Sequence, residues 1–219
     1  ARLQAAGFGR SEAARARAAA KRSLTPDPTV PKNLLQKLNY KGDVSAAQRQ
    51  SIEKELSQLP ERIRVIAETK ITALRVVDGE NSGYRVSTGE MFLSKDWRAG
   101  DALHEYAHAL EEALDLYNDP QFLAIRDKGL ENLSAADILE DEKNYSERVF
   151  FLKSDKFVSE YQGRLYENYG DNGIYDGKKV YLDGMREYFS EGVRVFYTDP
   201  RLLEKKDPDL YEYIKELMK

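Results

Sequence analysis

The only two histidines of the chain lie four residues apart, in the segment His104-Glu105-Tyr106-Ala107-His108. On a helix this spacing places both imidazoles on one face, within reach of a single metal ion. Imidazole nitrogen is a common zinc ligand. Glu105 projects beside the ion, where a carboxylate can take a proton from an activated water and return it to a leaving amine. We therefore predict zinc ligands at His104 and His108 and a general base at Glu105, in preference to histidines with only a surface or core role.

Such a zinc site needs a third protein ligand, and the chain has no cysteine and no further histidine. Glu111 and Glu112 follow on the same helix, too far along it to close on the ion. Glu187 and Glu191 share one face of a later segment that is otherwise aromatic and apolar, where carboxylates are costly unless they bind a cation or accept hydrogen bonds. We predict Glu187 as the third ligand and Glu191 as the acceptor of an imidazole N–H. If both face solvent instead, other carboxylates remain open as ligands: Glu140, Glu142, Glu147, Glu160 and Glu167.

Helical periodicity predicts the elements that carry the two halves of this site. A helix is expected from Asp101 to about Leu116, and a second one from Met185 to Tyr197, ended by the pair Asp199-Pro200. Pro208 is expected to begin a last helix over 208–218.

The chain before the histidine pair predicts two helices and a small sheet. Ser45 and Gln48 form a capping box for a helix over 46–58, and Pro60 begins a second helix over 60–69. The segment 71–77 reads as a strand, and 84–87 with 91–94 reads as a hairpin.

Between the two halves of the site the pattern is weaker. A proline at 120 should end one helix and begin another, and Ser134 should cap a helix over 135–142. The stretch 143–184 is expected to be mostly loops with a short strand or two. The predicted fold class is therefore α+β, with a small antiparallel sheet packed on the histidine helix and a helical C-terminal lobe.

Composition limits the function classes. The 219 residues are 41% hydrophobic and 33% charged, which predicts one globular domain. No apolar stretch is long enough for a membrane span, and the absence of cysteine excludes disulfides and thiolate chemistry. A net charge of −4 argues against a nucleic-acid partner. Residues 1–31 read as a basic, proline-containing tail or linker and 32–219 as one catalytic domain, divided at about 98; because the chain begins with Ala1, we expect a fragment or a processed product.

The histidine segment, the later sequence EYFSEGVRVFY and the final DPDLYEYIKELM resemble the anthrax lethal factor-like metalloproteases, which include the Pro-Pro endopeptidases. The similarity covers about 60–219. It implies a zincin-like fold and a gluzincin site, with Zn²⁺ bound by His104, His108 and Glu187 and with Glu105 as base.

The same resemblance implies a tyrosine that stabilises the oxyanion, seven residues before the ligand glutamate. Val180 occupies that position, so the adjacent Tyr181 is expected to take the role, with Tyr175 and Tyr169 as rivals. The interval between His108 and the ligand glutamate is longer than in those relatives, which predicts an insertion at about 118–166.

These observations predict a zinc-dependent endopeptidase that acts on an extended peptide or protein, bound along a sheet edge formed by Met91–Ser94. One alternative is a phage or prophage head or assembly protein, because 156–166 is similar to segments of such proteins; its zincin domain would be inactive or self-processing. Another is a secreted toxin or effector protease. No nucleic-acid or membrane partner is expected, and both secretion and association with a virion remain open.

Overall fold

The computed structural model describes residues 38–140, 150–167 and 173–219. Within these ranges the chain forms seven α-helices and two three-stranded sheets, so its class is mixed α+β. The expected tail over 1–31 lies outside the described residues. None of the helices in the described ranges has the length and apolar character that a membrane crossing requires.

The first half of the fold follows the predicted order of elements. Two helices come first, α1 (Ala46–Leu56) and α2 (Glu61–Glu68), and the predicted capping box of Ser45 and Gln48 begins α1. Three strands and the histidine helix follow: β1 (Ala73–Val77), β2 (Gly83–Arg85), β3 (Glu90–Ser94) and α3 (Asp101–Leu114).

The first sheet is mixed, and the prediction of a purely antiparallel sheet was wrong. Its strand order is β1-β3-β2, with β2 and β3 antiparallel and β1 and β3 parallel. The loop over 78–82 leaves a gap of one strand between β1 and β2. The tight turn over 86–89 then brings β3 back into this gap, where it pairs with both. Because β3 is hydrogen-bonded on both sides, Met91–Ser94 does not form the free edge that we expected for a substrate.

The middle of the chain forms a helix and a second sheet. The helix α4 (Pro120–Asp127) is followed by β4 (Ile138–Glu140), β5 (Phe150–Leu152) and β6 (Arg164–Leu165), which pair antiparallel in that order. Ser134 does form a capping box, but it begins a single 3-10 turn that leads into β4 rather than the predicted helix over 135–142. A further 3-10 turn (Tyr161–Gly163) precedes β6.

Three helices complete the fold: α5 (Tyr188–Thr198), α6 (Pro200–Lys206) and α7 (Pro208–Leu217). The pair Asp199-Pro200 ends α5 as predicted, but it also begins α6, which the sequence reading missed. The Asp199 side chain accepts a hydrogen bond from the Leu202 amide, and proline is favoured in a first helical turn.

Helix α3 packs against α5, and this contact brings together the two halves of the predicted site. Both helices bury most of their side chains. Gly192 allows α5 to approach α7 closely, because a Cβ at this position would lie 2.7 Å from a methyl carbon of Leu210. This close packing holds α5 against α7, while α5 also packs against α3.

Candidate metal centre

Helix α3 holds a cluster of groups that could bind a metal ion. One ligand atom each from His104, Glu105 and His108 lies within 4.8 Å of the others. The two imidazole centroids are 4.9 Å apart and the rings are nearly perpendicular. His104 and Glu105 are buried, with 5% and 6% of their surface exposed. The helix thus places both imidazoles and the carboxylate on one face, as the spacing predicts.

Glu187, the residue before the first turn of α5, brings a carboxylate to both imidazoles. Its Oε2 atom lies 3.0 Å from Nε2 of His104 and 3.1 Å from Nε2 of His108. The side chain is buried. The contact joins residues 83 positions apart in the sequence.

These three donors fit a metal ion. In a tetrahedral zinc site with bonds of about 2.0–2.1 Å, neighbouring donor atoms are separated by about 3.3 Å. The observed Nε2–Oε2 distances of 3.0 and 3.1 Å are close to that value. Two imidazoles and one carboxylate suit zinc and are also accepted by other first-row divalent ions.

A carboxylate holds the far side of the His104 ring. Glu191 Oε2 lies 3.3 Å from Nδ1 of His104, where we expected it. Its other oxygen accepts a hydrogen bond of 2.7 Å from the Ser159 hydroxyl, and Arg194 donates to both oxygens. Although burial alone would raise the pKa of Glu191, the hydrogen bonds from Arg194, His104 and Ser159 lower it to about 2. Glu191 is therefore an anion fixed in place behind the ring.

Glu111 holds the far side of the His108 ring in the same way. Its Oε2 atom lies 2.9 Å from Nδ1 of His108, and its Oε1 atom accepts from the Tyr117 hydroxyl at 3.1 Å. Tyr117 also donates to the Arg186 carbonyl. The sequence predicts that Glu111 lies too far along the helix to reach the ion, and the same distance places it behind His108. With a carboxylate at each Nδ1, both rings present Nε2 to the shared site.

Two tyrosines from the second sheet region complete the site. Tyr166 donates a hydrogen bond to Oε1 of Glu187, the oxygen that does not face the histidines. The Tyr161 ring lies 5.6 Å from the His104 ring and keeps 38% of its surface exposed. Both residues, like Ser159, come from the segment that we interpreted as an insertion, and weak periodicity gave no signal of their role.

The structure does not bring Tyr181 to this site. Its hydroxyl donates to Asp176 at 2.6 Å, in an exposed turn, and no contact among the described residues joins it to the histidines or to Glu187. Tyr175 pairs with Val180 in the same turn, and Tyr169 lies outside the described residues. Among the described residues, the tyrosines that contact His104 and Glu187 are instead Tyr161 and Tyr166.

Burial and close charges shift the pKa values of the site. Burial lowers the pKa of His104, but hydrogen bonds to Glu187 and Glu191 outweigh it and raise the pKa to about 9. Burial raises the pKa of the Glu105 carboxyl above its ordinary value. A carboxyl group shifted in this direction is suited to take up and release a proton nearer to neutral pH.

Comparison of the chain with protein-family models, curated proteins and solved structures found no match.

Proposed function

We propose that the protein is a zinc-dependent endopeptidase of the gluzincin type, with a zincin-like fold. One observation carries the proposal: a single carboxylate oxygen of Glu187 lies against Nε2 of both His104 and His108, and the Glu105 carboxylate lies beside them. Two imidazoles, a carboxylate ligand and a neighbouring free carboxylate are the set that metal-assisted peptide hydrolysis needs.

Glu105 is the proposed general base. Zinc, when bound at this site, polarises a peptide carbonyl and lowers the pKa of water. No hydrogen bond to the Glu105 carboxylate is found among the described residues, whereas Glu111 and Glu191 are both held by several donors. Glu105 is thus the carboxylate free to accept a proton from water and to pass it to the leaving amine.

The two tyrosines have different proposed roles. Tyr166 orients Glu187 by its hydrogen bond to Oε1, and it has no need to contact the substrate. Tyr161 is partly exposed beside His104, so its phenol is placed to donate a hydrogen bond to the oxygen of a peptide under attack. Tyr161 takes the role for which we expected Tyr181.

An extended peptide would pair with β2, the outer strand that contacts the histidine helix, rather than with the central β3. Among the described residues β2 is paired only with β3. Tyr84 of β2 donates to Glu112 at 2.7 Å, which ties this strand to the histidine helix. Backbone pairing of a substrate with β2 would run beside that helix.

The direct test begins with native mass spectrometry of the purified chain, with and without added zinc, followed by a screen of proline-containing peptides. We expect one zinc per chain and cleavage of at least one peptide. Glu105→Gln should keep the zinc and lose cleavage by about 10²-fold or more. Glu187→Ala should lose most of the zinc. Zinc binding without cleavage of any peptide would favour an assembly protein with an inactive zincin domain, and no zinc binding would overturn the peptidase proposal.

A further inference from the structure

Arg164 brings a cation to the rim of the metal centre. Its Cζ atom lies 4.5 Å from the centre of the Tyr166 ring and 5.6 Å from the centre of the Tyr161 ring. The Tyr166 hydroxyl contacts Glu187, and the Tyr161 ring contacts His104. The guanidinium is therefore separated from the proposed metal ligands by the width of one aromatic ring.

The Arg164 guanidinium has no carboxylate partner within 4.0 Å among the described residues. Its Nε atom is buried and makes no hydrogen bond there. Arg194, in contrast, is fully engaged by Glu191 at 2.5 and 2.8 Å. The nearest carboxylate that acts on the Arg164 charge is that of Glu187, beyond direct ion-pair distance, so the guanidinium keeps N–H donors that an anion bound beside the site can use.

We propose that Arg164 binds a carboxylate of the substrate, one or two residues from the peptide bond that is cut. This inference rests on the proposed peptidase function and names the substrate class. One tyrosine ring spans about as far as one to two residues of extended peptide, at 3.3–3.6 Å per residue. The carboxylate comes either from an aspartate or glutamate side chain or from the free C-terminus of the peptide.

The surrounding charges explain why a cation is needed for this substrate. The centre contains four carboxylates, those of Glu105, Glu111, Glu187 and Glu191. Arg164 adds to the charge of Arg194 and of a bound divalent ion in offsetting these carboxylates toward an anionic peptide. A guanidinium also binds a carboxylate through two parallel N–H donors, and both tyrosine rings lie within cation–π distance of it. A lysine at 164 would supply charge without this fork.

The test uses matched pairs of proline-containing peptides. One pair has aspartate or asparagine next to the expected cleavage position, and the other has a free C-terminal carboxylate or an amide. Fluorescence anisotropy with the zinc-loaded Glu105→Gln variant measures binding, and the wild-type chain measures kcat/KM for the same peptides. The comparison is repeated in Arg164→Gln and Arg164→Lys, with Arg75→Gln as a control, since Arg75 is an exposed residue of β1 that pairs with Glu90.

We expect the carboxylate member of one pair to bind about tenfold or more tightly than its neutral partner. Arg164→Gln should remove this preference, Arg164→Lys should keep only part of it, and Arg75→Gln should leave it unchanged. The pair that shows the preference identifies a side-chain or a terminal carboxylate as the source. If neither pair shows a preference in the wild-type background, the inference is overturned even when the Arg164 variants do not fold.

The binding arm separates this inference from the proposed function. Carboxylate preference that depends on Arg164, without cleavage of any peptide, would contradict the peptidase proposal and leave the anion site standing. Cleavage of a peptide without any carboxylate preference would support the peptidase proposal and overturn the anion site at Arg164.

Discussion

Each imidazole of the candidate metal centre has a carboxylate beside its Nδ1 atom, and each of those carboxylates accepts hydrogen bonds from further donors. Glu191 accepts hydrogen bonds from Ser159 and Arg194, and Glu111 accepts one from Tyr117. Such partners orient the rings and raise the basicity of the nitrogen that faces the ion. The precision of the site thus depends on residues that do not reach the metal.

Adjacent glutamates on α3 provide a matched test of this arrangement. Glu111→Ala should weaken zinc binding about 10–100-fold, because His108 loses the acceptor that orients it. Glu112→Ala should leave the affinity unchanged, because Glu112 contacts Lys70 and Tyr84 instead. Competition with a chelator of known affinity measures both. Equal losses in the two variants would show that the effect is a general one on the helix.

Substitutions of Tyr161 and Tyr166 should likewise have different effects on activity and on zinc binding. Tyr161→Phe should lower kcat by about 10²-fold or more and leave zinc affinity unchanged, because it removes a donor to the reacting peptide. Tyr166→Phe should weaken zinc binding about tenfold or more, since Glu187 loses its orienting hydrogen bond. Tyr181→Phe serves as the control. Loss of activity in Tyr181→Phe alone would return the catalytic role to the residue suggested by the sequence.

At this scale the local parts of the site were predictable. His104, Glu105 and His108 lie within one and a half helical turns, so their spacing alone places them together. Glu187 and Glu191 were found because charged residues interrupt an apolar helical face. Tyr161 and Tyr166 were not found, since they come from an aperiodic segment and the chain has fourteen tyrosines.

Among the elements, the second sheet is the one that connects the expected insertion to the metal centre. The turn before β6 carries Tyr161, and β6 itself is followed by Tyr166. Gly163, between them, packs closely, because a Cβ there would lie 2.6 Å from the Leu152 carbonyl oxygen and 2.7 Å from the Phe157 ring. The position of both tyrosines therefore depends on a residue without a side chain.

We expect Gly163→Ala to lower the free energy of unfolding by about 1–3 kcal/mol, because the added methyl group has to displace β5 or the turn. Zinc affinity should fall as well, since Tyr166 moves with β6. As a control, substitution of the exposed Lys153 in the same region, Lys153→Ala, should change the free energy of unfolding by less than about 0.5 kcal/mol. Urea unfolding and zinc titration give both values. If the Gly163→Ala variant is destabilised but keeps its zinc affinity, the second sheet does not determine the geometry of the metal site.

Pairing partners of the strands were less predictable than the strands themselves. The segment that forms β3 was recognised from its residues and from the hairpin with β2. Its parallel pairing with β1, through Leu74 and Met91 among others, depends on the path of the 78–82 loop, which no local pattern encodes. Because the sequence does not encode that path locally, it also predicts β3 wrongly as an edge strand.

For the molecule as a whole, the proposed ion joins α3 to α5. Any ligand that binds the folded state alone stabilises it, and zinc at about 1,000 times its Kd would add about 4 kcal/mol. For a chain of this size that corresponds to a rise in Tm of roughly 8–16 °C. Glu187→Ala should remove most of the rise, as differential scanning calorimetry with and without zinc can show. A zinc-dependent shift of the same size in Glu187→Ala would place the ion elsewhere.

The distance along the chain between the donors determines the order in which the site is completed. His104 and His108 meet as soon as α3 forms, but Glu187 is 83 residues from the first of them and 79 from the second. Contacts this distant in sequence contribute only after a long loop has closed, which carries an entropic cost. During synthesis a growing chain therefore carries the imidazole pair well before it carries the third donor. An ion captured at that stage would be held by two nitrogens only, and the proposed site is complete only once α5 has packed against α3.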